Sequence, residues 1–485
     1  MIILSLLVQL SLSAQDFRYT HSVFSSSVKT ANVTFANVPF LNSPYFNESN
    51  TSDADLLMDI YEPIGDTLGL RPAILFAHSG GFLTGDRMHD DMQAFCDSFA
   101  RKGYVTATID YRQGFYLLTN VDIHATRAAY RGLQDGRAAV RYLRANAQTY
   151  GIDTNKIYLA GSSAGAFISL HSIYMDQAAE KPSEAESLTY FDIIPPFVFN
   201  APDLGPFDIG QNLSNNGEPN SIIALWGAVQ DTLLISADNN EACLLIHGTD
   251  DATVPFDQGN PFGLGTIPEV DGSNLINLRL NHHGINNQRT YFVQGGDHEF
   301  YGTDNGNWEN GSSGNVYWDT VLNESCNFLW KQHKPFALFD YSILGLQVYF
   351  SDNSQDAISW YWNFGDGQSE NLQNPVHTYD SSGTYKVHLY IENEIHSWDT
   401  LSQFITVCDP IPNIWIGSDG ADWNDTTSNW SLDEIPNNCH HVQIQEGDSV
   451  RISSGSHVQA FTLTVEEGAI LVSEPGAVID ISISE

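Results

Sequence analysis

Gly161-Ser-Ser163-Ala-Gly165 places a hydroxyl between two glycines, directly after the apolar stretch Lys156–Ala160 and before Ala166-Phe-Ile-Ser-Leu-His. Strand, G-x-S-x-G and helix in that order make an elbow that exposes the central serine. The glycines flank a turn too tight for side chains, and Ser163 is the candidate nucleophile. The same pentapeptide also ends strands as a plain turn; the flanking strand and helix favour the elbow. A neutral hydroxyl needs a base, and that base needs an acid to orient it. His247-Gly-Thr-Asp-Asp251-Ala-Thr-Val-Pro255 and Gly295-Gly-Asp-His298-Glu-Phe each follow an apolar run. They supply the acid Asp251, with Asp250 as its rival, and the base His298, in the chain order Ser, Asp, His. Those three residue types suit acyl transfer.

Acyl transfer builds negative charge on the substrate oxygen, and backbone N–H groups aimed at it supply a large catalytic effect. His78-Ser-Gly80-Gly81-Phe82 follows the apolar run Pro72–Ala77. Gly80 and Gly81 are expected as donors, joined by the N–H of Ala164 beside the nucleophile. The alternative is a plain Gly-Gly turn. His78 precedes this loop and is assigned to supporting it rather than to acting as base.

Strands alternating with helices must carry these residues. Strands are expected over 72–77, 104–110, 156–160, 222–226, 243–247 and 290–294. Helices are expected over 90–102, 126–150 and 316–331. That alternation predicts an α/β fold with a mostly parallel sheet and helices on both faces. The stretch 177–220 has no clean period and is read as an insertion over the site.

The four motifs together resemble the carboxylesterase and acetyl-esterase branch of the α/β-hydrolase superfamily. Leu57-Met-Asp-Ile-Tyr-Glu-Pro63 and Asp110-Tyr-Arg112 add to the likeness, which covers about residues 28–332. Ser79 departs from the lipase-type His-Gly-Gly-Gly pattern, which bears on the loop and on acyl preference. The resemblance implies ester hydrolysis through an acyl-enzyme with no cofactor. A serine peptidase of prolyl-oligopeptidase type shares the triad order, and a non-catalytic adhesion protein on a hydrolase fold is the alternative from another class.

With 485 residues the chain exceeds one ordinary core, and four segments are expected. Residues 1–14 read as a signal peptide, although no Lys or Arg precedes the apolar run. Residues 15–333 form the catalytic domain. Residues 334–407 contain Trp360-Tyr-Trp-Asn-Phe-Gly-Asp-Gly367 and Asn374-Pro-Val-His-Thr-Tyr, which resemble a PKD domain, a small immunoglobulin-like sandwich. Tyr385, Val387, Leu389 and Ile391 alternate there with Lys386, His388 and Tyr390, as a half-buried strand requires.

Residues 408–485 form a Trp-rich all-β module with Trp415, Trp423 and Trp430. It resembles a C-terminal module of secreted Bacteroidetes-type proteins and leads into what reads as the start of a β-solenoid. Its tryptophans either stack on sugar rings or fill a small core.

The formal charge of −39, from 59 acidic and 20 basic residues, argues against nucleic acid as a partner. No later run is long enough for a membrane span. No metal-ligand cluster and no cofactor motif stands out. The expected partner is an ester substrate, with polymeric and carbohydrate-linked esters included, outside the cell. Oligomeric state is left open.

Five cysteines in such a compartment leave at least one unpaired. Cys408 and Cys439 bracket the Trp-rich module and are expected to bridge. On the hydrolase resemblance, the helices bearing Cys96 and Cys326 share one face of the sheet, so a second bridge between them is geometrically possible; the alternative is that both are merely buried thiols. Cys243 is then the odd thiol, buried on its strand.

Overall fold

The computed structural model describes residues 17–193 and 196–482, so the expected signal peptide lies outside the described residues. The chain divides into two compact units. One is Met1–Lys334 with Ile395–Ser397, and the other is Pro335–Glu394 with Trp398–Glu485.

The first unit is built on an eight-stranded sheet. In chain order its strands are β1 (Ser27–Leu41), β2 (Thr51–Pro63), β3 (Arg71–Ala77), β4 (Val105–Ile109), β5 (Ile152–Ser162), β6 (Ser221–Leu225), β7 (Ala242–Gly248) and β8 (Arg289–Val293). Their order across the sheet is β1-β2-β4-β3-β5-β6-β7-β8. β1–β2 and β2–β4 pair antiparallel. From β4 to β8 all pairs are parallel. The helices are α1 (Asp90–Ala100), α2 (Val121–Ala145), α3 (Ala164–Tyr174), α4 (Ser273–His282) and α5 (Val316–Lys331).

A parallel strand with helices on both sides has no wet face, which is why residues 73–77 of β3, 222–225 of β6 and 242–246 of β7 are continuous apolar runs, fully buried. Neighbouring side chains serve different cores. Ala73, Leu75 and Ala77 join one cluster with Ile168 and Leu170 of α3. Ile74 and Phe76 point the other way, into a cluster with Phe95 and Phe99 of α1 and Phe328 of α5. Ile395 also belongs to that second cluster, so three residues distant in sequence complete the first unit.

Several expectations shift. The helix expected over 126–150 begins five residues earlier, at Val121, and stops at Ala145; a separate turn covers Ala147–Tyr150. The long antiparallel strands β1 and β2 were not expected as such, nor was α4. The proposed Cys96–Cys326 bridge is wrong: both thiols are free and buried, as is that of Cys243. Cys96 and Cys326 do share one core cluster. Cys326 instead donates its S–H to the Tyr19 carbonyl, 2.8 Å away, and burial pushes its thiol up to about 11.

The insertion over 177–220 is irregular but tied down. It holds two antiparallel strands, Leu188–Ile193 and Pro196–Ala201. Two parallel stripes on α2, each with heptad spacing, meet it. Arg127 donates to the carbonyls of Glu184 and Pro202, and Gln134 to those of Leu204 and Pro206. Arg141 donates to those of Ile209 and Gln211. In the second stripe Tyr130 donates to Gly205, Arg137 pairs with Asp208, and Arg144 donates to Asn216. Carbonyls outside that short ladder must be satisfied elsewhere, and α2 supplies the donors.

In the second unit, strands Phe339–Leu344, Gln347–Asp352 and Val376–Thr378 face a four-stranded sheet containing Gly383–Glu392 and Trp398–Val407. Val387, Leu389 and Ile391 point inward with Trp362 and Phe350. The remaining strands form parallel ladders. His441 pairs with Thr462, Val450 with Leu471 and Val458 with Ile479, each 21 positions apart, the pairing pattern of a β-solenoid. Trp415, Trp423 and Trp430 are buried in its core, so they are not faces offered to sugar rings. Cys408 and Cys439 form a disulfide, with Cα atoms 5.7 Å apart.

Candidate active site

The candidate residues gather at the carboxyl ends of the parallel strands, the edge where α/β sheets hold their ligands. The elbow comes first. β5 ends at Ser162 and α3 starts at Ala164, leaving Ser163 between them at φ 54 and ψ −115. Such a backbone costs on the order of 1–3 kcal/mol and persists only where its surroundings dictate it. They do so here. A Cβ on Gly161 would stand 2.1 Å from the Gly165 carbonyl oxygen, and one on Gly165 would stand 2.1 Å from that of Ala77. The Ser163 N–H donates to the Leu225 carbonyl at 3.0 Å, which anchors the turn to the end of β6.

Asp251 follows β7 and His298 follows β8. The Nδ1–H of His298 donates to Asp251 Oδ2 at 2.7 Å. The backbone N–H groups of Thr253 and Val254 donate to Asp251 Oδ1, both at 2.8 Å. His247 Nε2 stands 3.2 Å from Asp251 Oδ2. Its ring is fixed by Ser273 Oγ at 2.8 Å and the Val254 carbonyl at 3.1 Å. Burial alone would raise the Asp251 carboxyl. Hydrogen bonds from His247 and His298 outweigh it and hold the carboxyl well below the usual range, so it stays ionised. Asp250 is exposed and meets the Thr249 hydroxyl instead, which leaves Asp251 as the partner of His298. Among the described residues no hydrogen bond joins Ser163 Oγ to His298. Bonds of that kind often close only around substrate.

The Gly80–Gly81 loop leaves β3 beside the elbow. Gly80 has φ +124, and a Cβ there would strike the Thr84 carbonyl oxygen at 2.0 Å. Ala164 is the first residue of α3, so its N–H is among those with no intrahelical partner. His78 lies beneath the loop, fully buried, with its ring stacked on Tyr111 at 4.2 Å. The Tyr111 hydroxyl donates to the His78 carbonyl at 3.0 Å. Burial depresses the His78 imidazolium to about 3, which keeps the ring neutral and fits a supporting part.

Two neighbours carried no assignment from sequence. His247 is one, and its spacing of four from Asp251 was the available signal. Trp226 is the other. Its indole N–H donates to Ser162 Oγ at 2.9 Å and its ring lies 6.2 Å from that of His298, so it packs between the elbow and His298. No motif marks it.

A cleft open to solvent lies over Ser163, with Gly81, Ala164, Phe167 and Phe262 among its walls. Among the described residues no group of three or more His, Cys, Asp or Glu is placed to hold a metal ion. Nor is any described helix long and apolar enough to cross a membrane.

Residues 58–192 match the BD-FAE family model, and residues 340–407 match the PKD domain model. The chain is 30% identical over 141 residues to juvenile hormone esterase of Heliothis virescens, covering 27% of this chain and 24% of that protein. It is 33% identical over 119 residues to carboxylesterase 3B of Mus musculus, covering 24% and 20%. Gut esterase 1 of Caenorhabditis elegans is 30% identical over 95 residues, covering 20% and 17%. The chain thus spans about a fifth of the length of these curated relatives. Among solved structures, Thermogutta terrifontis esterase 2 aligns at 18% identity with a TM-score of 0.42, covering 62% of this chain and 93% of that one. With the antiparallel β2, the parallel strands after it and the elbow at the end of β5, the first unit has an α/β-hydrolase fold, similar over residues 58–192 to the BD-FAE family, and a PKD domain match follows it in the chain.

Proposed function

We propose that this protein is a secreted serine carboxyl-ester hydrolase that works through an acyl-enzyme. The observation that carries this is the 2.7 Å bond from His298 to an ionised, buried Asp251, beside a serine held in an elbow. Asp251 fixes the imidazole with its proton on Nδ1, leaving Nε2 as the basic nitrogen. Ser163 Oγ attacks the ester carbonyl carbon as its proton passes to His298 Nε2. The carbonyl oxygen becomes an oxyanion, met by the N–H groups of Gly80, Gly81 and Ala164. Collapse breaks the bond to the alcohol oxygen, which takes the proton from His298. Water then attacks the acyl-enzyme with His298 again as base, releasing the acid and restoring Ser163. Secretion rests on the apolar leader at residues 1–14. Polymeric or carbohydrate-linked esters are included in the substrate class because a PKD domain is a common companion of secreted enzymes.

The test is a fluorophosphonate probe with peptide mapping, run beside nitrophenyl esters, acetyl-xylan and a feruloyl ester. Labelling at Ser163 with ester turnover is the expected result. Absence of both would overturn the hydrolase reading in favour of a non-catalytic role.

A further inference from the structure

The cleft over Ser163 has a direction. Its walls include Ser163 and two of the proposed oxyanion donors, Gly81 and Ala164, but not His298. In acyl transfer the base returns its proton to the departing alcohol oxygen, so the alcohol part of an ester must stand at the base. A cavity that starts at the nucleophile and the oxyanion donors, away from the base, lies on the acyl side.

From Ser163 the cleft runs along α3. Ala164, Phe167, His171 and Met175 line it at helical spacing, a span of roughly 16 Å at the α-helical rise per residue. The opposite wall is α2, through Ala125, Ala129 and Leu133, one turn apart. The two alanines leave room where longer side chains would fill it.

Two polar side chains on these walls, His171 and Tyr130, are already engaged, while Thr126 and Gln230 also line the cleft. His171 Nδ1–H donates to the Phe167 carbonyl at 2.8 Å, and its Nε2 accepts the Gln230 N–H at 3.1 Å. Tyr130 donates to the Gly205 carbonyl at 2.8 Å. Burial depresses the His171 imidazolium to about 4, so this wall carries no charge at neutral pH. Glu269, the one carboxylate in the lining, is exposed. Such a lining offers an acyl group mainly apolar contact, with Thr126 and Gln230 as its neutral polar members.

We infer that this cleft is the acyl site and that it selects an elongated, medium-chain aliphatic acyl group over acetyl, with Ala129 setting how far the chain can enter. The inference rests on the hydrolase reading and adds the substrate class to it. An unpaired polar acyl group would lose its hydrogen bonds to water here without replacement.

The experiment uses the full chain and nitrophenyl acetate, butyrate, hexanoate, octanoate and decanoate. kcat/KM is expected to rise from acetate to octanoate by at least tenfold, since each methylene that finds apolar cover adds a factor of up to about four. In Ala129→Trp the octanoate-to-acetate ratio is expected to fall at least tenfold. Ala125→Leu serves as a milder second variant if the first does not fold, with the same direction of change. A matched series of acetates with lengthening alcohols should keep its order in both variants. Acetate preferred by the wild type would overturn the inference. So would a variant that reorders the alcohol series and leaves the acyl series alone. Failure to hydrolyse any ester, with no fluorophosphonate labelling, removes the hydrolase reading and the inference with it.

Discussion

Asp251 Oδ2 accepts the Nδ1–H of His298 at 2.7 Å, while Asp251 itself is almost fully enclosed, with its side chain at 0% exposure. A buried carboxylate that stays ionised must be paid in hydrogen bonds, and Asp251 receives them from two imidazoles and two backbone amides. Ser163→Ala and His298→Ala should each lower kcat/KM on a nitrophenyl ester by at least roughly ten-thousandfold, and Asp251→Asn by roughly a hundredfold to ten-thousandfold. Asp250→Asn should stay within about twofold of wild type. Circular dichroism checks that each variant is folded. Near-normal turnover in Asp251→Asn with loss in Asp250→Asn would reverse the assignment.

His247 should act through Asp251 rather than on substrate. In His247→Leu the carboxylate loses a donor, and kcat should fall by about tenfold to a hundredfold, with KM little changed. The acid limb of the pH–rate profile should move as well. His247→Gln keeps an N–H near the same place and should recover part of the loss. A drop in thermal stability with an unchanged kcat would mean the ring only packs.

Stability should weaken on mild acidification before the surface carboxylates titrate. Burial depresses His78 to about 3 and His171 to about 4, while an unfolded chain takes up those protons near the ordinary histidine value. Between about pH 6.5 and 4 the unfolded state therefore binds more protons, and stability falls as pH falls, by up to roughly 1.4 kcal/mol per pH unit for each imidazole. Glu48 adds a lower step. Burial opposes its charge, but Arg131, His124 and Arg127 hold its carboxyl down at about 2. Its contribution is present above the ordinary glutamate value and is lost as pH drops toward 2. Urea midpoints at pH 7.5, 5.5 and 4.5 measure the first window. A flat midpoint would contradict buried, neutral imidazoles.

The donors on α2 should keep the insertion ordered. Arg137 and Arg141 both reach the Asp208 carboxylate, and the Arg141 side chain is fully buried. Asp208→Ala leaves both guanidinium groups without that acceptor and should destabilise the first unit by about 1.5–3 kcal/mol. Hydrogen exchange should speed up across residues 203–217 and not in β3 or β5. Uniform exchange in both places would mean the insertion is held by its own packing.

The Cys408–Cys439 bridge closes a loop with a sequence separation of 31. A bridge of that size restricts the unfolded chain by about 3–4 kcal/mol on the loop-entropy model. The double variant Cys408→Ser, Cys439→Ser should lower the unfolding midpoint of the second unit while nitrophenyl ester turnover is retained. Peptide mapping without reductant should find Cys96, Cys243 and Cys326 alkylated only after unfolding. A bridge to Cys243 would contradict its place beside the Tyr174 hydroxyl.

By itself the sequence determined the parallel part of the sheet and the elbow. A strand buried on both faces must be apolar where helices cover it, as residues 73–77 of β3 and 242–246 of β7 are. A turn that brings Gly161 against the Gly165 carbonyl excludes every other residue there. Those are local constraints, and they leave a local record. The pairing of Phe364 with Tyr379 in the PKD segment, through a hydroxyl-to-carbonyl bond at 3.0 Å, belongs with a motif that was also legible. What the tertiary structure alone decided depends on residues far apart in the chain. β1 is exposed from Val28 to Asn32 although it pairs there with the buried half of β2, because β1 is the edge of the sheet; that depends on the strand order, not on the local pattern. Asp251 was separated from Asp250 by which carboxylate β8 brings His298 to meet. Cys96 and Cys326 shared a face, as the fold implied, yet sharing a face does not bring two sulfurs together. The cleft proposed to take the acyl group opens beside Ala125 and Ala129, which no motif marks, because a cavity is defined by side chains that are missing, and only packing shows where they are missing together.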